Sequence, residues 1–127
     1  MRLFRFDADT AQRTVTAFGS RNVVISGILR NPEIAHIGCL HLGPDGLVGE
    51  HPTTTTQLLL IVQGSGEVRG GALDFVPITA GQAAFWEAGE AHETRSEEGM
   101  MALVIEGLSL DPTAIMVPLS LRETYGK

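Results

Sequence analysis

An intrachain disulfide is excluded from the outset, because Cys39 is the only cysteine in the sequence. It stands in the apolar stretch Ile37 to Leu42, a setting that predicts a buried small hydrophobe rather than a nucleophile. Aromatic residues are scarce at 6%, so the core is expected to be built from Leu, Ile, Val and Ala. Basic residues are few and scattered, 9 Lys and Arg against 15 Asp and Glu, for a net charge of −6. An acidic surface repels a phosphate backbone, which argues against a nucleic-acid partner. Apolar runs such as Leu58 to Val62 are far too short to cross a membrane. The segment Met1-Arg2-Leu3-Phe4-Arg5-Phe6-Asp7 turns charged too soon for a secretory signal, so the expectation is a cytoplasmic protein without membrane contact.

Glycine, by contrast, is abundant at 15 of 127 residues, and a chain that turns this often favours many short strands over long helices. Extended runs separated by turn residues fill the middle of the sequence. Val23 to Leu29 ends at Asn31-Pro32, Ala35 to Leu42 ends at Gly43-Pro44-Asp45-Gly46, and Leu58 to Val62 ends at Gly64-Ser65-Gly66. Glu67 to Arg69, Gly70-Gly71 and Leu73 to Ile78 read as a hairpin, and Ala83 to Trp86 and Met101 to Ile105 add two more strands. Such spacing predicts an all-β sandwich or barrel, a single domain over 1–127 with its core at about 22–107. Asp9 to Phe18 reads either as a strand with a loop or as a short helical turn. The tail after Asp111-Pro112 is expected to lie over the barrel or on a neighbouring subunit.

No nucleophile elbow is present, and Gly64-Ser65-Gly66 lacks the following Lys and helix of a phosphate loop. Two other stretches carry more. One runs from Gly43 through His51-Pro52-Thr53-Thr54-Thr55-Thr56-Gln57 to Gly64; the other is Gly81-Gln82-Ala83-Ala84-Phe85-Trp86-Glu87-Ala88-Gly89-Glu90-Ala91-His92. In order and spacing they resemble the two signature motifs of the cupin family. His51 stands for the first motif's first His, Thr53 where its second His belongs, Gln57 where its Glu belongs, and Gly64 at its Gly. In the second motif Gly81, Gly89 and His92 fall in register, while Glu87 replaces a Pro and Ser96 an Asn. The resemblance covers about 35–106 and implies a double-stranded β-helix, or jelly-roll, barrel around one small pocket.

The family's motifs form a metal cup, in which residues two apart on a strand face one lumen and hold a divalent ion. Carried over residue by residue, the resemblance implies that His51, Gln57 and His92 hold one divalent transition metal (Fe, Mn, Ni or Zn). Alternation makes Thr53 a pocket candidate, and Trp86 reads either as a pocket-mouth residue that stacks on a ligand or as a cap on the core, the core reading being favoured. Two changes weaken that cup: a Thr hydroxyl donates poorly, and Gln57 brings no charge. Glu50 and Glu93 adjoin candidate ligands, so alternation turns both to the opposite face, and Glu87 sits at a turn. Two readings therefore stand side by side. One is a metal-dependent enzyme of the oxygenase, isomerase or lyase class acting on a small polar organic substrate. The other is a metal-free ligand-binding or sensor barrel, whose polar residues bond each other or a small molecule. His36 and His41 lie outside the motifs and are expected at the surface or an interface. Apolar residues in 1–18 and 108–127 suggest a homodimer.

Overall fold

A computed structural model describes residues 1–30 and 32–120. The strands are β1 (Arg2–Arg5), β2 (Arg13–Thr14), β3 (Val24–Ile25), β4 (Ile34–Leu42), β5 (Gly46–Pro52), β6 (Thr56–Gly70), β7 (Val76–Thr79), β8 (Gln82–Trp86), β9 (Ala91–Ser96), β10 (Met100–Gly107) and β11 (Val117–Pro118). Helix is confined to single 3-10 turns at Ala8–Thr10, Ala17–Gly19 and Pro112–Ala114 among the described residues. None is long and apolar enough to cross a membrane.

All main pairings are antiparallel, and they form two sheets that share β6. The first has the order β11-β1-β8-β6-β10-β4. The second is built from β5 on β9, β9 on the later half of β6, and that half on β7. Strand β6 therefore crosses from one sheet to the other, and Gly64-Ser65-Gly66, read from sequence as a closing turn, lies inside it. The reason is steric. Gly64 takes the left-handed φ of +85°, and a Cβ there would stand 2.5 Å from the Gly99 carbonyl oxygen. A Cβ on Gly66 would collide with the Arg95 carbonyl. Glycine lets the strand bend between β9 and β10 without breaking.

Alternation along β6 separates two cores. Leu59 and Ile61 point between the sheets and pack with Leu42, Val68, Ile78, Ala84, Trp86, Met100 and Ala102. Leu58 and Leu60 point the other way, where Phe4, Phe85, Leu110 and Met116 cover them. With both faces covered, β6 is apolar at every position from Leu58 to Ile61, whereas Val62, the last residue of the run, is exposed. The described part of the tail thus lies on the barrel, with β11 paired to β1; residues 121–127 of the expected docking segment lie outside the described residues.

Four further sequence expectations need correction. Val23 to Leu29 is a strand only at Val24–Ile25, and the strand expected from Leu73 is confined to Val76–Thr79. Cys39 is exposed, because β4 is an edge strand whose outer face has no layer above it. Aromatic side chains, though few, hold central places in the core: Trp86, Phe4 and Phe85 are all buried.

Candidate functional site

Between the two sheets lies a cavity of about 160 Å³, lined by Leu40 of β4, Val48 and His51 of β5, Gln57 and Leu59 of β6, His92, Glu93 and Thr94 of β9, and Val104 of β10. His51, Gln57 and His92, the three candidate ligands, are thus brought to one cavity.

Each arrives by a local rule. Gln57 shares the inward face of β6 with Leu59 and Ile61 by alternation. His92 alternates inward with Thr94 and Ser96, all three buried, whereas Arg95 is exposed and half-buried Glu93 gives its carboxylate to Arg69. His51 needs an irregularity. Val48 pairs with Thr94 and His51 with His92, so three steps on β5 match two on β9. This bulge at Gly49-Glu50 turns both Val48 and His51 inward although their spacing is odd.

The imidazoles meet edge to face, with ring centroids 4.4 Å apart and Nε2 to Nε2 at 3.2 Å. Their hydrogen bonds fix the tautomers. His51 Nδ1 lies 2.7 Å from the Gly49 carbonyl oxygen, which can only accept, so Nδ1 carries the proton. With Nδ1 as the donor, His51 Nε2 serves as the acceptor, and His92 Nε2–H donates to it. His92 is buried, whereas His51 is exposed toward solvent. Burial, reinforced by the neighbouring His51 and opposed by Glu90, pushes the His92 pKa from 6.5 to about 4. Behind His92 stands Trp86, its ring 4.9 Å away and edge-on.

Thr53 and Trp86 do not line the cavity. Thr53 is buried, but its hydroxyl donates to the Glu87 carbonyl at 2.8 Å and its amide to the Glu90 carbonyl at 3.0 Å, so it clamps the β8–β9 turn. Trp86 belongs to the core, and its Nε1–H donates to the Arg69 carbonyl at 3.2 Å. Sequence reasoning missed the apolar wall of Leu40, Val48, Leu59 and Val104. Alternation in β4 and β10 was available as a signal for Leu40 and Val104, but nothing marked the β5 bulge beyond Gly49.

The nearby carboxylates are all engaged elsewhere or exposed. Glu93 accepts from Arg69 Nε at 2.8 Å on the outer face, Glu90 binds the Met1 amino group and the Glu87 amide, and Glu87 stands 3.6 Å from Arg2. Glu50 is exposed. Among the described residues no group of three or more His, Cys, Asp or Glu converges to hold a metal. The donor set meets one requirement of a metal cup and fails another. Two cis imidazoles on one ion, with bonds of about 2.1 Å, hold their nitrogens about 3.0–3.4 Å apart, and this pair is so spaced. But the other donors at the cavity, the Gln57 amide and the Thr94 hydroxyl, are neutral, and the Glu93 carboxylate is taken by Arg69, so no free anion offsets the ion's charge. The residues present do not make a resident metal centre.

No family model matches the sequence, and no curated protein is similar to it. Solved structures are. The chain is similar to a predicted oxalate decarboxylase from Thermotoga maritima, with 24% identity over 61% of this chain and 69% of that one, at a TM-score of 0.56. It is similar to the cupin domain of Schizosaccharomyces pombe Cnp3, with 14% identity over 63% of this chain and 59% of that one, at a TM-score of 0.54. A third is an RmlC-like cupin from Shewanella frigidimarina, with 15% identity over 57% of this chain and 67% of that one, at a TM-score of 0.51. At these identities the likeness is one of fold.

Proposed function

The chain has the cupin fold, and from that premise we propose that it is a small-molecule-binding barrel whose cavity takes a compact, uncharged organic ligand. The observation that carries this reading is the His51–His92 pair, joined through Nε2 at 3.2 Å, at the polar side of a cavity walled by four aliphatic side chains. Leu40, Val48, Leu59 and Val104 offer dispersion and desolvation to an apolar body, while the imidazoles and the Gln57 amide serve a hydroxyl or carbonyl head. With His92 held neutral by burial and every nearby carboxylate engaged or exposed, the cavity offers no charge partner to an ionic ligand.

The oxygenase, isomerase or lyase chemistry implied by the motifs depends on a metal cup whose anion this chain lacks. Binding, rather than turnover, is the function that this donor set supports. Fold alone does not decide between them, since one barrel hosts many activities.

The test is a fragment screen read by the imidazole carbon-bound proton resonances. Uncharged compounds of a few heavy atoms should shift the His51 and His92 signals and leave those of His36 and His41 in place. The reading fails if no such compound does so at millimolar concentration, or if the freshly purified protein carries a near-stoichiometric transition metal.

A further inference from the structure

Gln57 shares its rung of the first sheet with a carboxylate and a further imidazole. Across the strands the rung runs His36 of β4, Glu106 of β10, Gln57 of β6 and Trp86 of β8. Residues paired directly across strands present their side chains to one face. Here that face is the inward one. Leu40 and Val104 line the cavity and lie an even number of residues from His36 and Glu106, with no break in register between, whereas Ile105 packs outward beside Leu58. Trp86 closes the rung onto the facing sheet, where its ring lies 4.9 Å from that of His92.

The usual polarity of a barrel is reversed at this level. The neighbouring rung, Ile37 and Ile105, is apolar and faces outward, while the polar pair stands on the lumen side. Gly38 shows where the His36 ring goes. A Cβ at position 38 would stand 3.1 Å from His36 Cε1. Gly38 lies between His36 and Leu40 on the same face of β4, so the imidazole folds back along the strand, over the glycine and toward the cavity. Its Nδ1 stands 3.5 Å from Glu106 Oε1.

Exposure rises along this inward face toward the rung. Leu59 and Ala102 are buried, Leu40 and Val104 half-buried, and the Glu106 and His36 side chains 34% and 64% exposed. Glu106 and His36 therefore stand at the mouth, where a ligand resting on the aliphatic wall meets water.

We propose that Glu106, held by His36, is a second hydrogen-bonding station of the cavity, and that the ligand is a neutral diol or polyol. The inference rests on the small-molecule reading and names the class of its ligand. A carboxylate takes donors, either hydroxyls or an ammonium. Two neighbours favour hydroxyls. His36 already stands against the carboxylate, and the Gln57 amide beside it both donates and accepts, as a hydroxyl does and an ammonium does not. One hydroxyl then engages the imidazole pair and another donates to Glu106, with the apolar body against Leu59 and Val104. A ligand with a single polar group stays on the His51–His92 pair and leaves His36 in place; one with two reaches it.

Three probes on one carbon skeleton test this on the full chain, read by the imidazole carbon-bound proton resonances. They are neopentyl alcohol with one hydroxyl, neopentyl glycol with two, and the amino alcohol in which an ammonium replaces one of the two. The glycol's hydroxyls stand about 5 Å apart, the spacing of side chains opposite each other on neighbouring strands. The alcohol should shift the His51 and His92 signals alone. The glycol should shift His36 as well and bind about tenfold more tightly, as an added hydrogen bond to a charged acceptor allows. In Glu106→Leu, a change at a part-exposed position whose folding circular dichroism checks, the glycol should bind no better than the alcohol. Isosteric Glu106→Gln keeps one acceptor and should retain only part of the gain. A glycol that binds no better than the alcohol in the parent, or that keeps its full advantage in both variants, overturns the proposal while the binding reading stands. If neither alcohol nor glycol moves His51 or His92, the binding reading fails and this inference with it. An amino alcohol that binds more tightly than the glycol would make the mouth a cation site and overturn the ligand class.

Discussion

His51 and His92, 41 residues apart in sequence, face each other across the β5–β9 ladder with their Nε2 atoms 3.2 Å apart. His51 Nδ1 is held by the Gly49 carbonyl, which turns its Nε2 toward His92. A proton added to His92 would place a charge in a buried setting beside a second imidazole.

Stability should therefore depend on His92 in acid. Its folded pKa, about 4, lies below the 6.5 of the unfolded chain, so the unfolded state binds a proton more readily between these values. The contribution is complete above pH 6.5 and is lost as pH falls toward 4, by an amount on the order of 2 kcal/mol. Urea unfolding at half-unit steps from pH 7 to pH 4 measures the slope. The His92→Gln protein should show it flattened, and an unchanged slope would assign the effect to other groups.

The bend in β6 is the second place where one side chain decides much. Gly66→Ala puts a methyl group against the Arg95 carbonyl, backbone that belongs to the paired strand β9. The strand must move or the ladder must open, at a cost on the order of 2–4 kcal/mol. Ser65→Ala, one residue away and exposed, should stay within about 0.5 kcal/mol. If both variants melt alike, β6 has room there and the bend has another cause.

How far the sequence revealed these features follows from the range of each signal. Alternation is local, so β4, β8 and β10 were readable to within a residue or two, and so was the outward turn of Glu93. The motif spacing brought His51 and His92 together because it encodes a register between strands. A bulge is a mismatch between two strands, and no property of Gly49 alone announces it. Gly64 and Gly66 carry the composition of a turn, and only the crowding by Gly99 and Arg95 shows that they bend a continuous strand. Cys39 looked buried because its neighbours are apolar; that it lies on an uncovered edge is a fact of topology.

Thr53 separates motif position from structural role. Its hydroxyl is buried and spent on the Glu87 carbonyl. Thr53→Val keeps the shape and leaves that carbonyl with the Glu90 amide alone, which should cost about 1 kcal/mol in urea unfolding. Ligand binding in the cavity should be unaffected, as measured by the same imidazole resonances, because residue 53 does not line it. A loss of binding with stability intact would return Thr53 to the site.

Gln57 is where the missing anion is most readily supplied. It already faces the cavity beside two imidazoles whose spacing suits cis ligation, and Gln→Glu changes no volume. Gln57→Glu should raise affinity for Zn or Ni by about tenfold or more, equivalent to at least about 1.4 kcal/mol, since one carboxylate replaces a neutral amide in a partly enclosed site. Binding should release the carboxyl proton, so the apparent affinity should climb with pH. Adding Thr53→His, which the motif alone recommends, should bring no further gain and should destabilise the β8–β9 turn, because position 53 points at Glu87 and away from the lumen. His92→Ala on the Gln57→Glu background should abolish the gain. Calorimetric titration of the parent and the three variants decides between lumen and motif. A Gln57→Glu protein that binds no better than the parent would show that Gln57 does not reach the imidazoles. If Thr53→His adds affinity, the strand after His51 has been placed wrongly.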